Sequence, residues 1–233
     1  MSDTILRLTG IRKQYGGLRP LRVQSLIIEP GEQVAVSGFD AGAAEVLVNL
    51  VTGASLPDEG TVEVCGRATH AISDGDDWLA WLDRFGIVTP RAVLLDAASL
   101  RQNLAIPLTL EIEPIPPAIA AQVEELADAV GLDRATLDRP IAGLDAALRA
   151  RAHLARAIAL KPALLIMEHP TVGFTPGQAR PFSETLAQIA RSRSLATLII
   201  SEDAEFSAAA DRRLALHAAT GELRAPKWRL FGR

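Results

Sequence analysis

Apolar and polar positions follow two rhythms along this chain, and each rhythm predicts a type of element. Residues 5–8 and 22–29 are short apolar stretches that predict two strands. Residues 33–37 (Gln-Val-Ala-Val-Ser) form an apolar run closed by Gly38, the pattern of a buried strand, with Pro30-Gly31-Glu32 as the turn before it. Residues 39–43 predict a loop. Over residues 44–52, Val46, Leu47, Leu50 and Val51 fall on one helical face, and Gly53 ends it. Leu56-Pro57-Asp58-Glu59-Gly60 predicts a further turn and residues 61–64 a further strand.

The rhythm changes in the middle of the chain. Residues 76–85 predict a helix with aspartates at its start, and Ile87 and Val88 a strand. Residues 92–160 are rich in Ala and Leu, with helices predicted at 118–130 and 144–160 and a proline-rich break at 112–117. Then follow an apolar strand at 163–167, a helix at 182–191, a strand at 197–200 and a short helix at 204–210. Residues 213–217 and 222–224 predict a hairpin around Gly221. Strands alternating with helices at both ends imply a mostly parallel sheet, interrupted by a helical block. The chain shows no internal repeat and no low-complexity segment.

Composition narrows the function classes. Of the 233 residues, 48% are hydrophobic, enough for a sizeable core, and the net charge of −4 gives no basic field to hold nucleic acid or an anionic membrane. The densest basic stretch is the tail, Lys227, Arg229 and Arg233 around Trp228 and Phe231, expected to be a solvated terminus. The single cysteine, Cys65, excludes an internal disulfide framework; at the end of an alternating strand it is expected to be a buried, inert thiol. No apolar run approaches the roughly 20 residues that span a bilayer, and the N-terminus lacks a signal peptide's basic and apolar regions. The expectation is a cytoplasmic protein that meets a membrane only through a partner.

The strand, loop and helix at 33–52 are where a phosphate-binding loop would sit. Such a loop reads GxxxxGK[ST]: backbone N–H groups cradle phosphates, the lysine reaches the terminal phosphates and the hydroxyl holds Mg²⁺. The window here is Gly38-Phe39-Asp40-Ala41-Gly42-Ala43-Ala44-Glu45. The first glycine is present; Ala43 stands for the second, Ala44 for the lysine and Glu45 for the hydroxyl residue. This match carries no weight alone.

Its surroundings carry more. Tyr15 lies 23 positions before Gly38, Pro30-Gly31-Glu32 precedes the loop strand, and Leu56-Pro57-Asp58-Glu59-Gly60 follows the loop. Asn103-Leu104-Ala105-Ile106-Pro107-Leu108, His153-Leu154-Ala155-Arg156-Ala157-Ile158-Ala159-Leu160-Lys161-Pro162 and Pro170-Thr171-Val172-Gly173 come after, in that order. In order and spacing these six islands resemble the nucleotide-binding subunits of ABC transporters along nearly the whole chain. The resemblance implies an α/β fold: a RecA-like P-loop NTPase core with a mostly parallel sheet, an antiparallel β-subdomain near the N-terminus, and an α-helical subdomain at about 90–160. Residues 1–233 would form one such domain. Tyr15 is placed as the adenine-stacking aromatic, with an ordinary surface or edge aromatic as the alternative.

The departures from the family pattern fall on its chemistry. The signature LSGGQ is Leu144-Asp145-Ala146-Ala147-Leu148 here, and the Q-loop glutamine is Pro90. Glu168 replaces the Walker B aspartate, His169 the catalytic glutamate, Thr175 the D-loop aspartate and Glu202 the switch histidine. With Asp40, Glu45, Glu168 and Glu202 the resemblance implies an anionic pocket that repels a polyphosphate. No cofactor is expected; MgATP is expected only if the site works through unusual residues. The carboxylates read as drift in an unused pocket or as a site for a cation or a partner's arginine; His169 could join Glu45 and Glu168 on a divalent metal, but their spacing matches no metal motif and no metal is expected. Arg149, Arg151 and Arg156 read as a solvated helix face, or as partners of nearby carboxylates. Three functions remain: a non-hydrolytic structural or regulatory subunit beside a membrane permease, paired with itself or with a second ATP-binding subunit; an ATPase with unusual residues; or the fold reused outside transport.

Overall fold

A computed structural model describes residues 4–225. The basic tail identified in the sequence lies outside the described residues. Two sheets organise the rest. Strands β1 (Leu6–Lys13), β2 (Leu21–Ile28), β4 (Glu59–Val64) and β5 (Arg67–Ala68) form an antiparallel sheet in the order β2-β1-β4-β5. The second sheet runs β10-β9-β3-β8-β7-β6, from β3 (Gln33–Ser37), β6 (Phe85–Val88), β7 (Leu164–Glu168), β8 (Ala196–Ile200), β9 (Arg212–His217) and β10 (Glu222–Arg224). Its pairs are parallel except β9 with β10, the predicted hairpin.

The helices are α1 (Ala41–Val51), α2 (Gly75–Leu82), α3 (Leu100–Ala105), α4 (Pro117–Ala129), α5 (Ala146–Ile158) and α6 (Ala179–Arg193). Three of them, α3, α4 and α5, lie in sequence between β6 and β7 and account for the predicted helical block.

Side-chain alternation along the buried central strands divides the core in two. Leu164 and Ile166 of β7, with Val34, Val36, Leu198 and Ile200, pack toward α1 and the antiparallel sheet. Leu165 and Met167 pack on the other side, with α5, α6 and the helical block. The next residue, Glu168, falls in the register of Leu164 and Ile166, so a carboxylate arrives at the α1 side with its side chain 2% exposed. Close approach of α5 to the sheet depends on Gly86, where a Cβ would lie 2.4 Å from the Ala157 carbonyl oxygen.

Several predicted boundaries move. The helix predicted at 76–85 stops at Leu82, because Phe85 pairs with Leu164 and opens β6. The short helix at 204–210 is one 3₁₀ turn, 206–209, and the loop at 39–43 is shorter than predicted, because α1 begins at Ala41. Cys65 is not a buried thiol: β4 ends at Val64, and Cys65 turns the chain at φ 49° with its side chain exposed.

Candidate functional site

The link from β3 to α1 is three residues, Gly38 to Asp40. Gly38 adopts φ 86°, and a Cβ there would meet the Leu216 carbonyl oxygen at 2.9 Å, so glycine is required. Its N–H donates to Glu202 Oε1 at 2.6 Å. Asp40 is the N-cap of α1, and its Oδ1 accepts from the Ala43 N–H at 2.8 Å. Carboxylates of the chain itself therefore engage N–H groups of the loop window, complementing the positive end of the helix dipole. Ala43 and Ala44 are buried in the core, Ala44 completely.

Tyr15 is half-buried over this loop. A Cβ on Gly42 would lie 3.3 Å from its Cε2, and partial burial with the charge of Asp40 raises its phenol pKa. A cleft of about 390 Å³ brings Tyr15, Gly38, Asp40 and Ala43 together with Arg19 and Arg22.

The second half of the site centres on a residue the sequence reading missed. Thr89 to Ala92 form a turn closed by the Ala92 N–H to the Thr89 carbonyl at 3.0 Å, with Pro90 at its second position, where the ring's fixed φ suits the turn. The turn returns Arg91 toward the sheet. Its Nη1 donates to Glu168 Oε1 and its Nη2 to Glu168 Oε2, both at 2.7 Å, and its Nε lies 3.6 Å from Glu45 Oε1. Thr89 Oγ1 adds a 2.8 Å bond to Glu168 Oε2. These bonds to Glu168, with its charge and that of Glu45, raise the arginine's pKa; burial opposes them.

A guanidinium thus bridges two of the four carboxylates of the expected anionic pocket, which reduces its negative charge without cancelling it. Glu45 and Glu168 are not free to join His169 in a metal set. Both carboxylates close on Arg91, and among the described residues no set of three His, Cys, Asp or Glu could hold a metal ion. Charge balance was the available signal: a buried carboxylate needs a cation, and Arg91 directly follows the Pro90 already singled out.

His169 ends β7 at φ 42°; its N–H donates to the Ile200 carbonyl at 2.8 Å, and its buried Nε2 has no partner. A cleft of about 240 Å³ gathers it with Glu168, Thr89, Pro90, Ala146 and His153. Burial, then the charges of Arg156 and Arg149, push His153 down to about 4.

At the signature position, Asp145 caps α5 by accepting from the Leu148 N–H at 2.8 Å, and its Oδ2 lies 3.5 Å from Gln178 Nε2. Ala146 and Ala147 form the first turn of α5. The arginines of this helix are not a solvated face. Arg151 donates to the Val130 carbonyl and to Thr185, Arg156 to the Val93 carbonyl at 2.7 Å, and Arg149 to the Leu144 carbonyl while pairing with Asp96.

A family model described as ABC transporter matches residues 21–172, about two thirds of the chain. The chain belongs to the ABC transporter family. This cassette is 30% identical over 93% of its length to the lipoprotein-releasing system ATP-binding protein LolD 2 of Caulobacter vibrioides, covering 96% of that protein. It is 28% identical over 99% of its length to the methionine import ATP-binding protein MetN of Mesorhizobium japonicum, and spans 62% of that relative's length. Among solved structures it resembles cbiO1 of Clostridium perfringens, part of the ABC transporter complex cbiONQ. The TM-score is 0.80 and the identity 20%, covering 95% of this chain and 87% of that one, a likeness of fold.

Proposed function

We propose that this cassette is a structural or regulatory subunit of an ABC transport complex that neither holds nor hydrolyses MgATP. One observation carries the reading: the groups that would receive a nucleotide and its metal are engaged within the chain. Glu202 takes the Gly38 N–H, and Arg91 bridges Glu45 and Glu168, the residues the resemblance places at the metal. A phosphate would have to displace a charge-assisted hydrogen bond from the loop, each worth roughly 1.5–3 kcal/mol, and would gain no lysine in return, because Ala44 stands there. The remaining residues do not fit MgATP, and no hydrolytic step is assigned to them.

Residues 1–233 form one cassette in this reading. No helix among the described residues is long and apolar enough to cross a membrane. Membership of the ABC transporter family supports attachment through a permease subunit at the cytoplasmic face. The subunit pairs with a second cassette, its own copy or another. Asp145 caps α5 from within, so the Leu148 N–H of the signature segment is already engaged and a carboxylate stands where a partner's nucleotide would approach.

A second reading, a working ATP-binding subunit, is favoured by the cleft beside Tyr15 and by the relatives, which are named as ATP-binding proteins. Co-purification from native membranes tests the first reading's partnership. A permease retained with an unchanged yield when nucleotide is removed supports it. A cassette that comes away alone, or whose permease is retained only with ATP, opposes it.

A further inference from the structure

The passage from the sheet into the helical block is anchored at both ends. Residues 89–99 join β6 to α3. At the sheet end, Arg91 grips Glu168 of β7 through two 2.7 Å bonds and faces Glu45 of α1. At the helical end, Arg156 of α5 donates to the Val93 carbonyl, Arg149 pairs with Asp96 at 3.5 Å, and Asn103 of α3 binds Leu95 twice: Oδ1 accepts from its N–H at 2.8 Å and Nδ2 donates to its carbonyl at 3.1 Å. Arg91 is thus the clasp between a loop carried by the helical block and the strand and helix of the core.

The two arms of the clasp are unequal. Glu45 and Arg91 are both more than 40% exposed in their side chains, so that arm is weak. Glu168 is 2% exposed, and a carboxylate buried to that degree cannot be left charged and unpaired without a large penalty. The planar fork of arginine also fixes orientation as well as distance, and the turn around Pro90 limits how far the loop backbone can drift.

We propose that Arg91 is a resident cation that staples the helical block to the sheet core, so that the chain itself, without nucleotide or metal, sets the placement of one against the other. This rests on the reading of the site as closed. Moving the helical block away from the core would strip the buried Glu168 of its cation, so the clasp favours the arrangement seen here.

Spin-label distance measurement tests this. Cys65 is the chain's single cysteine and is exposed, and Ala121→Cys adds an exposed label on α4 in the helical block. The expected result in the otherwise unaltered chain is one narrow distance distribution, identical with and without MgATP. Arg91→Met alone leaves Glu168 unpaired and destabilises the fold, so the decisive variant is Arg91→Met with Glu168→Gln, which removes the buried charge. Its melting temperature returns toward that of the parent while the distance distribution broadens at least twofold; Arg91→Lys, which keeps the charge and loses the fork, broadens it less. A double variant that keeps the narrow distribution overturns the staple, as does a parent chain whose distribution shifts with MgATP. Titration calorimetry on the same samples separates the two claims. A parent that binds MgATP yet stays narrow, and broadens only on loss of Arg91, keeps the staple and removes the closed site.

Discussion

Arg91 and Glu168 form a two-point ion pair at the end of β7, with both nitrogen–oxygen distances at 2.7 Å. The pair joins a loop residue to a strand residue 77 positions away, at the place where the resemblance puts a divalent cation.

Rebuilding the loop sequence alone does not rebuild the site. The triple variant Ala43→Gly, Ala44→Lys, Glu45→Ser leaves Asp40, Arg91 and Glu202 in place. Calorimetry with MgATP is expected to show no saturable heat. Ala44 is fully buried, so the lysine stem also crowds the core, and the variant loses roughly 1–3 kcal/mol in urea unfolding.

The two helix caps are structural. Asp40→Ala frees the Ala43 N–H and Asp145→Ala frees the Leu148 N–H. Each is expected to cost about 1 kcal/mol, read as a lower denaturant midpoint with an unchanged slope. The sites are on different helices, so the double variant should lose about the sum.

Gly38→Ala places a Cβ on a backbone at φ 86° and 2.9 Å from the Leu216 carbonyl oxygen. The expected loss is about 2 kcal/mol or more. Hydrogen exchange should locate it at the junction of β3 and β9.

The pH dependence of stability carries the mark of His153. Its folded-state value of about 4 lies below the roughly 6.5 of an unfolded histidine. Between those values the unfolded chain binds more protons, so the contribution is complete above about pH 6.5 and is lost as the pH falls toward 4. His153→Gln removes this titration. Urea unfolding from pH 7 to pH 4 should show the parent losing on the order of 1 kcal/mol more than the variant.

The scaffold was legible in the sequence because its signals are local. The buried runs of β3, β7 and β8, the turn at Pro30-Gly31 and the hairpin around Gly221 lie where period and turn chemistry put them, whereas β4 begins at Glu59, inside the turn predicted at 56–60. The start of α1 was misjudged because Asp40 was read as one more acid in the pocket when it is the cap. Cys65 was misjudged because alternation carries no mark of where β4 stops; the left-handed turn after Val64 decides it. Arg91 escaped notice because its meaning lies in long-range pairs: to Glu168, 77 positions away, and to Glu45, 46 positions away by number. A positional comparison with the family shows which residues have been replaced, and only tertiary structure shows what fills the space they leave.

If the chain's own side chains close this site, titration of the purified protein with ATP and Mg²⁺ finds nothing open to the ligand. A closed site gives no saturable heat at millimolar nucleotide, and no rise in melting temperature across the same range. Saturable binding in the micromolar range would contradict it, because Glu202 and Arg91 would then have yielded their places to the ligand.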